Sequence, residues 1–549
     1  MAAAERLYRR RVPNDKVISL ELAKALAQLT LEIRRPIGVL LTRRGQVQEV
    51  IVGSALTLSS TTMTLFRTSP RSLRGLRFIR TQLHDQPLNQ EMLTDLAFLR
   101  LDLIGVLSVG DDSRLGNIYM AHLLPPGVPG KVFTVFQAVP FHHLTISFDV
   151  LIEELETQLQ QARAHHSVGN GKESAILVSA SAKSRAEQDE HLVELTELAT
   201  SADVMVIDRL VQRTGDGHQR YLLGSGKMKE VLIQTLHRGA DMVIFDQTLS
   251  PAQLRAISEM TDIKVIDRTQ LILDIFARRA HSREGKVQVE LAQLRYMLPR
   301  LSGSGTQLSR LGGGIGTRGP GETKLETDRR RVRDRITHLE RELVQFARHQ
   351  DQRRSRRDRQ GLPMVSLVGY TNAGKSTLLN VLTKSHVTAQ NRLFETLDTT
   401  SRRLRFPEDR EVIISDTVGF IRDLPQELVG AFRTTLDELR DADLLLHIVD
   451  INARDIEVQL TAVVAILDEL RLTAVPRWLV FNKCDQAPSQ QVEALCRRFN
   501  ALGISALQPS TLRPLLARLE TYVRSVSASL DRTSHVVAQD GELTLASRR

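Results

Sequence analysis

The chain has 549 residues, of which 42% are hydrophobic and 25% charged, and Lys and Arg outnumber Asp and Glu by 74 to 64. One core rarely serves such a length, so about three or four domains are expected, and the apolar content excludes a disordered chain. The two cysteines, Cys484 and Cys496, form no CxxC pair or Cys/His cluster, which argues against a disulfide framework or a zinc site, while the lack of a leader-like start or an apolar run of about 18 residues predicts a cytoplasmic protein with no membrane span.

Residues 1–165 open with a basic arm and then show short apolar runs, IGVLL and VQEVIVG, that predict a strand pair around Arg44 and Gly45. An α+β module of open role is expected here. The stretch RFIRTQLHDQPLNQEMLTD faintly resembles the metal-binding signature of JAMM isopeptidases, but Arg80 and Gln82 stand where imidazoles are needed, so no metal is expected. Residues 166–280 alternate strand-like runs (AILVSAS, ADVMVIDRLV, ADMVIFD, IKVID) with helical stretches, the pattern of a small parallel α/β domain. Within it, Gly224, Gly226 and Lys227 lack the spacing of a phosphate loop and predict a structural turn.

A helical hairpin is expected over 281–350, from helices at Leu271 to Pro299 and Leu325 to Gln350, the latter with Val332, Ile336, Leu339 and Leu343 at spacings of three or four. Between the helices, residues 303–324 are glycine-rich and carry Arg310, Arg318 and Lys324, which suits close approach to a phosphate backbone. The runs RRRVRDR (Arg329 to Arg335) and RRSRRDR (Arg353 to Arg359) concentrate the positive charge, as nucleic-acid binding requires. Residues 351–361 read as a linker, 362–525 as a further α/β domain, and 526–549 as a tail.

The strand-like MVSLV runs directly into Gly369, Tyr370, Thr371, Asn372, Ala373, Gly374, Lys375 and Ser376, followed by the apolar helix TLLNVLT. This is the full GxxxxGK[ST] phosphate loop in its strand-loop-helix context. Its glycines let backbone amides converge on phosphates, Lys375 neutralises β and γ charge, and the Ser376 hydroxyl can ligate Mg²⁺. Downstream, VIIS leads into Asp416, Thr417, Val418 and Gly419, which fits a metal-side carboxylate and a glycine amide for the γ-phosphate. Lys375 and Gly419 are thus candidates for the chemistry itself. Asn482, Lys483, Cys484 and Asp485 follow a second strand, WLVF, and the Asp485 carboxylate can accept both hydrogens of the guanine N1 and N2 edge. Adenine has no such edge, so GTP and GDP are the expected ligands. Ser505, Ala506 and Leu507 complete the base pocket, with a backbone amide for the guanine oxygen. A threonine among Thr396, Thr399 and Thr400 should close on Mg²⁺ in a switch loop. Phe420 stands where many GTPases carry a water-orienting glutamine, and Asn372 matches GTPases that hold K⁺ beside the phosphates.

Together, GYTNAGKS, FETLD, DTVGFIRDLP and NKCD, with upstream VQVELAQLRYMLPRL and GGGIGTRGPGETKLETDRRR, resemble the HflX family of ribosome-associated P-loop GTPases over roughly residues 175–525. The resemblance implies an α/β GTPase domain, a mainly parallel sheet with helices on both faces, preceded by a small α/β domain with its helical hairpin. It also implies that Phe394, Glu395, Thr396, Leu397 and Asp398 form the nucleotide-contacting switch, with Thr396 catalytic and, beside Ser376, on Mg²⁺. The implied partner is the ribosomal RNA of the large ribosomal subunit, engaged by a monomer that splits or rescues stalled ribosomes under stress. A GTP-gated protein-interaction switch without ribosome binding is the competing expectation.

Overall fold

The computed structural model describes residues 2–53, 73–125, 132–167, 172–215, 220–261, 263–301, 324–359, 362–383, 394, 400–406, 410–417, 419–421, 438–453 and 455–525. The chain divides into two compact units, Met1–Ala199 with Asp203–Arg268, and Thr200–Ala202 with Thr269–Arg549.

The first unit begins with α1 (Ala2–Tyr8) and α2 (Leu20–Ile33), then the expected antiparallel pair β1 (Ile37–Thr42) and β2 (Val47–Val52). After β3 (Leu76–Gln82), α3 (Gln90–Leu99) carries the chain across to β4 (Leu103–Val109), the parallel neighbour of β3. β5 (Leu115–Leu123), β6 (Phe133–Val135), β7 (Val139–Pro140) and α4 (Phe148–Ser167) complete the module. Its mixed sheet has the order β2-β1-β3-β4-β5-β6, with β7 on β5. β3 is buried along its length because β1 and β4 flank it, and it carries a buried cation, Arg77. The Arg77 guanidinium donates to the carbonyls of Val17 (3.0 Å) and Thr42 (3.1 Å) and lies 4.1 Å from the Phe148 ring centre. Burial pulls its pKa down to about 10.

The same unit contains the expected parallel α/β element: β8 (Ser174–Ser181), α5 (Arg185–Ser201), β9 (Met205–Arg213), α6 (Ser225–His237), β10 (Met242–Phe245), α7 (Pro251–Met260) and β11 (Lys264–Asp267), with sheet order β11-β10-β8-β9. Gly224 caps the start of α6 and Lys227 pairs with Glu230 at 2.9 Å, so this segment is a helix start. Beyond the strand ends, Asp246 meets His191 (3.2 Å) and Arg268 (3.0 Å), and Arg268 also reaches Glu194 (2.8 Å). Burial alone would raise the Asp246 pKa, but the His191 hydrogen bond and the Arg268 charge outweigh it and hold the carboxyl low.

In the second unit, the single helix expected from Leu271 to Pro299 is two helices, α8 (Arg268–Arg279) and α9 (Arg283–Met297). The chain restarts at Ser282, whose Oγ accepts from the Gly285 amide at 2.9 Å, an N-cap that lets the helix axis change direction. α10 (Lys324–Arg359) runs antiparallel to α9 and extends through most of the stretch read as a linker. Val287 and Leu291 of α9 pack on Leu339 of α10, with Ile336, Leu343 and Phe346 around them. Glu290–Arg335 (2.7 Å) and Arg283–Glu342 (2.8 Å) flank the seam. The glycine-rich tip, 302–323, lies outside the described residues.

The last sheet comprises β12 (Met364–Gly369), β13 (Thr400–Phe406), β14 (Arg410–Asp416), β15 (Leu444–Asp450), β16 (Arg477–Asn482) and β17 (Leu502–Gly503), in the order β13-β14-β12-β15-β16-β17. Only the β13–β14 pair is antiparallel. The helices α11 (Lys375–Thr383), α12 (Ile456–Glu469), α13 (Ser489–Phe499) and α14 (513–525) connect or follow these strands. Strands covered on both faces must be apolar throughout, which explains why β12 and β15 read as near-continuous runs of Val, Leu and Ile. Of their polar exceptions, Ser366 is accommodated, its Oγ 2.7 Å from Ser415 Oγ across β12 and β14, whereas His447 of β15 is buried with its Nε2 unpartnered among the described residues, and burial pulls its pKa down to about 3. Chain connections leave β12 first toward β14 and later toward β15, so its carboxyl end is a topological switch point, the place where ligands bind in open α/β sheets.

Candidate nucleotide site

The loop after β12 is held from both sides. A Cβ on Gly369 (φ 150°) would lie 2.1 Å from the Ile448 carbonyl oxygen of β15, and one on Gly374 (φ 89°) would lie 2.2 Å from Asn482 Nδ2 of β16. Only glycine allows this approach at these dihedrals. Asn372 also has a left-handed backbone, φ 63°, which asparagine tolerates better than most residues.

Lys375 starts α11 and is buried, its Nζ donating to the carbonyls of Gly369 (3.1 Å) and Tyr370 (2.9 Å). Burial pulls its pKa down to about 8, against the opposing attraction of Asp416. Next to it, the Ser376 hydroxyl donates to Asp416 Oδ2 at 2.6 Å. These are two hard oxygen donors of the kind Mg²⁺ takes, so the donor set fits that ion. The Thr417 hydroxyl donates to the Leu367 carbonyl at 2.7 Å. Gly419 closes the cluster: a Cβ there would sit 2.7 Å from Thr371 Cγ2 and 3.0 Å from Lys375 Nζ. Phe420 is buried and zipped to the loop, its amide donating to the Gly369 carbonyl (3.1 Å) while its carbonyl accepts from the Thr371 amide (2.8 Å). The Thr371 hydroxyl is buried without a hydrogen-bond partner among the described residues.

At the other end, Asn482 joins two loops. Its Nδ2 donates to the Ala373 carbonyl and its Oδ1 accepts from the Ala506 amide, both at 2.9 Å. Lys483 turns the chain at φ 62° and pairs with Asp450 Oδ2 at 2.8 Å. The Cys484 amide donates to the Ile504 carbonyl at 3.1 Å, and burial, then the neighbouring Cys496, pushes the Cys484 thiol up to about 11. Asp485 lies exposed on the short turn Cys484–Gln486. The Ser505 amide is taken by Thr511 Oγ1 at 2.9 Å, and the following Leu507 is 71% exposed.

The residues 369–376, Asp416, Thr417, Gly419, Asn482–Asp485 and Ser505–Leu507 therefore converge on the carboxyl edge of one sheet. Glu395, Thr396, Leu397, Asp398 and Val418 lie outside the described residues. Phe394, at the head of that switch segment, is buried with φ 56°, its ring 4.6 Å from that of Phe276 on α8. Sequence reasoning missed Asp450, Thr511 and Phe276. An Asp ending an apolar strand was a visible signal for the first; the others are long-range partners with no local signature.

Residues 189–277 match the family model GTP-binding GTPase N-terminal, 279–357 the GTP-binding GTPase Middle Region, and 364–483 the model 50S ribosome-binding GTPase. GTPase HflX of Caldanaerobacter subterraneus subsp. tengcongensis is 48% identical over 60% of this chain and 76% of its own length. GTPase HflX of Alkalihalophilus pseudofirmus is 43% identical over 69% of this chain and 88% of its own. For GTPase HflX of Escherichia coli the figures are 48% identity, 54% and 70%. With identities this high over most of each relative, and a phosphate loop and guanine motif meeting at one sheet edge, the chain belongs to the HflX family of GTPases and hydrolyses GTP.

Proposed function

We propose that the GTPase cycle of this protein governs binding to the large ribosomal subunit, and that it serves in splitting or rescue of stalled ribosomes. The carrying observation is the match of residues 364–483 to a family described as 50S ribosome-binding GTPases. The arginine-rich α10 supports it, since Arg333 and Arg341 are exposed on a helix suited to phosphate contact.

In this reading, Lys375 and the amides at the start of α11 hold the β- and γ-phosphates. Ser376 and Asp416 hold Mg²⁺, with Thr396 added from the switch segment; the ion, when bound, neutralises phosphate charge. The Gly419 amide meets the γ-phosphate. Asp485 reads the guanine N1 and N2 edge, Asn482 locks the phosphate loop to the base pocket, and the exposed backbone at Leu507 faces the guanine oxygen. Asn372 contributes to a K⁺ site beside the phosphates. Because Phe420 offers no polar group, intrinsic turnover is slow and the ribosome accelerates it.

Sedimentation of the full chain with purified 50S subunits and a non-hydrolysable GTP analogue tests the proposal. Comigration that weakens with GDP and with rising salt is expected. Failure to comigrate, while analogue binding persists, would replace the ribosome with a protein partner.

A further inference from the structure

Of the hydroxyls at the phosphate loop, those of Ser376 and Thr417 are already committed. Ser376 donates to Asp416 and Thr417 donates to the Leu367 carbonyl. Thr371 differs: it is 6% exposed and its Oγ1 has no hydrogen-bond partner among the described residues. An unpaired buried hydroxyl is unfavourable, and valine, of the same shape, would avoid that penalty. Its surroundings suggest what the hydroxyl serves. The Thr371 Cα and Cγ2 lie 2.9 and 2.7 Å from the point where a Gly419 Cβ would stand, and Lys375 Nζ lies 3.0 Å from the same point. Two groups assigned to the γ-phosphate thus meet at the Thr371 side chain. In the structure the methyl faces this point; rotation about the Cα–Cβ bond to another staggered rotamer brings the hydroxyl to the place the methyl now holds, while the backbone stays pinned by the 2.8 Å bond from the Thr371 amide to the Phe420 carbonyl.

We infer that the Thr371 hydroxyl is a catalytic residue of GTP hydrolysis, acting on the γ-phosphate and the attacking water in place of the side chain that Phe420 lacks. A hydroxyl has one donor and two acceptor sites, so Thr371 can donate to a γ-phosphate oxygen and accept from the water at once. The water oxygen forms a bond to the γ-phosphorus as the bond to the β,γ-bridging oxygen breaks. GDP leaves with that electron pair, and the water proton ends on inorganic phosphate or in solvent. Thr371 orients both partners and is neither consumed nor charged.

The inference rests on Lys375 and Gly419 facing the γ-phosphate. The test is single-turnover GTP hydrolysis by the full chain, with GDP affinity measured on the same preparations. Thr371→Val should slow hydrolysis about 10- to 100-fold while GDP affinity stays within about twofold, as GDP lacks the γ-phosphate. Thr371→Ser, which restores the hydroxyl, should recover most of the rate. If the valine variant fails to fold, Thr371→Ala removes the same hydroxyl and is judged identically. Hydrolysis by the hydroxyl-free variant at the unsubstituted rate would overturn the inference, provided Lys375→Ala is inactive. Normal hydrolysis by Lys375→Ala would instead overturn the phosphate-site assignment beneath it.

Discussion

Lys375 carries opposite pH signatures for binding and for stability. Its ammonium attracts phosphate, and burial places its pKa near 8, below the ordinary value of 10.5. GDP affinity should therefore hold up to about pH 7.5 and then fall, approaching tenfold per pH unit above about 8. The stability contribution has the reverse sign. Between about 8 and 10.5 the unfolded chain binds more protons at this group than the folded one, so the nucleotide-free protein gains stability from Lys375 as pH rises through that window. A GDP affinity flat to about pH 8.8, from titrations across this range, would show that the ammonium is not the phosphate contact. Gly419 is the second sensitive position. An alanine Cβ would stand 2.9 Å from the Thr371 Cα, which is backbone and cannot swing aside. Gly419→Ala should cut GTP hydrolysis at least about tenfold with much smaller loss of GDP binding, read by stopped-flow phosphate release and nucleotide titration. Asp485→Asn should turn preference from GTP toward xanthosine triphosphate, because an amide presents donors where guanine also has donors. Undiminished GTP selection in a competition assay would remove Asp485 from base recognition.

At the scale of elements, the phosphate loop and the guanine motif were legible because their chemistry demands particular residue types at fixed spacing on particular strand ends. Gly369 is forced by φ and by the Ile448 backbone at 2.1 Å, Gly374 by φ and by the Asn482 side chain at 2.2 Å, and a requirement so strict leaves its mark in the sequence. The buried strands β12 and β15 were legible for a similar reason, since two-sided burial leaves no room for alternation. Helix ends were less so. The break before α9 was missed although Ser282 carries an N-cap signal and 281–286, HSREGK, interrupt the apolar spacing, because the apolar patterns on either side are both helical. α10 outran its expected end because Arg, Gln and Asp sustain a helix without an apolar stripe to announce it. The Phe276–Phe394 contact joins residues far apart in the chain, which no local pattern encodes. The hairpin seam itself is simple: Leu339 is fully buried against Val287 and Leu291. Leu339→Ala should destabilise it by about 2–5 kcal/mol, seen as faster amide exchange over α9 and α10 with GDP binding intact. Unchanged exchange would mean that the seam is held mainly by its flanking ion pairs.

For the molecule as a whole, the GTPase assignment and the ribosome proposal stand on different footing. The first follows from family membership and agrees with the convergence of four sequence motifs at one sheet edge. The second depends on what the helical hairpin and the nucleotide site do together. Among the described residues no helix is long and apolar enough to cross a membrane, and the described part of α10 keeps several arginines exposed. In the proposed reading, Phe420 offers no polar group to orient water, so turnover waits for the partner. The most direct measurement is the GTP hydrolysis rate of the full chain titrated with purified 50S subunits. The account predicts saturable stimulation of at least about tenfold that declines as salt rises. A rate that does not change at saturating 50S, from a preparation that hydrolyses GTP alone, would contradict it.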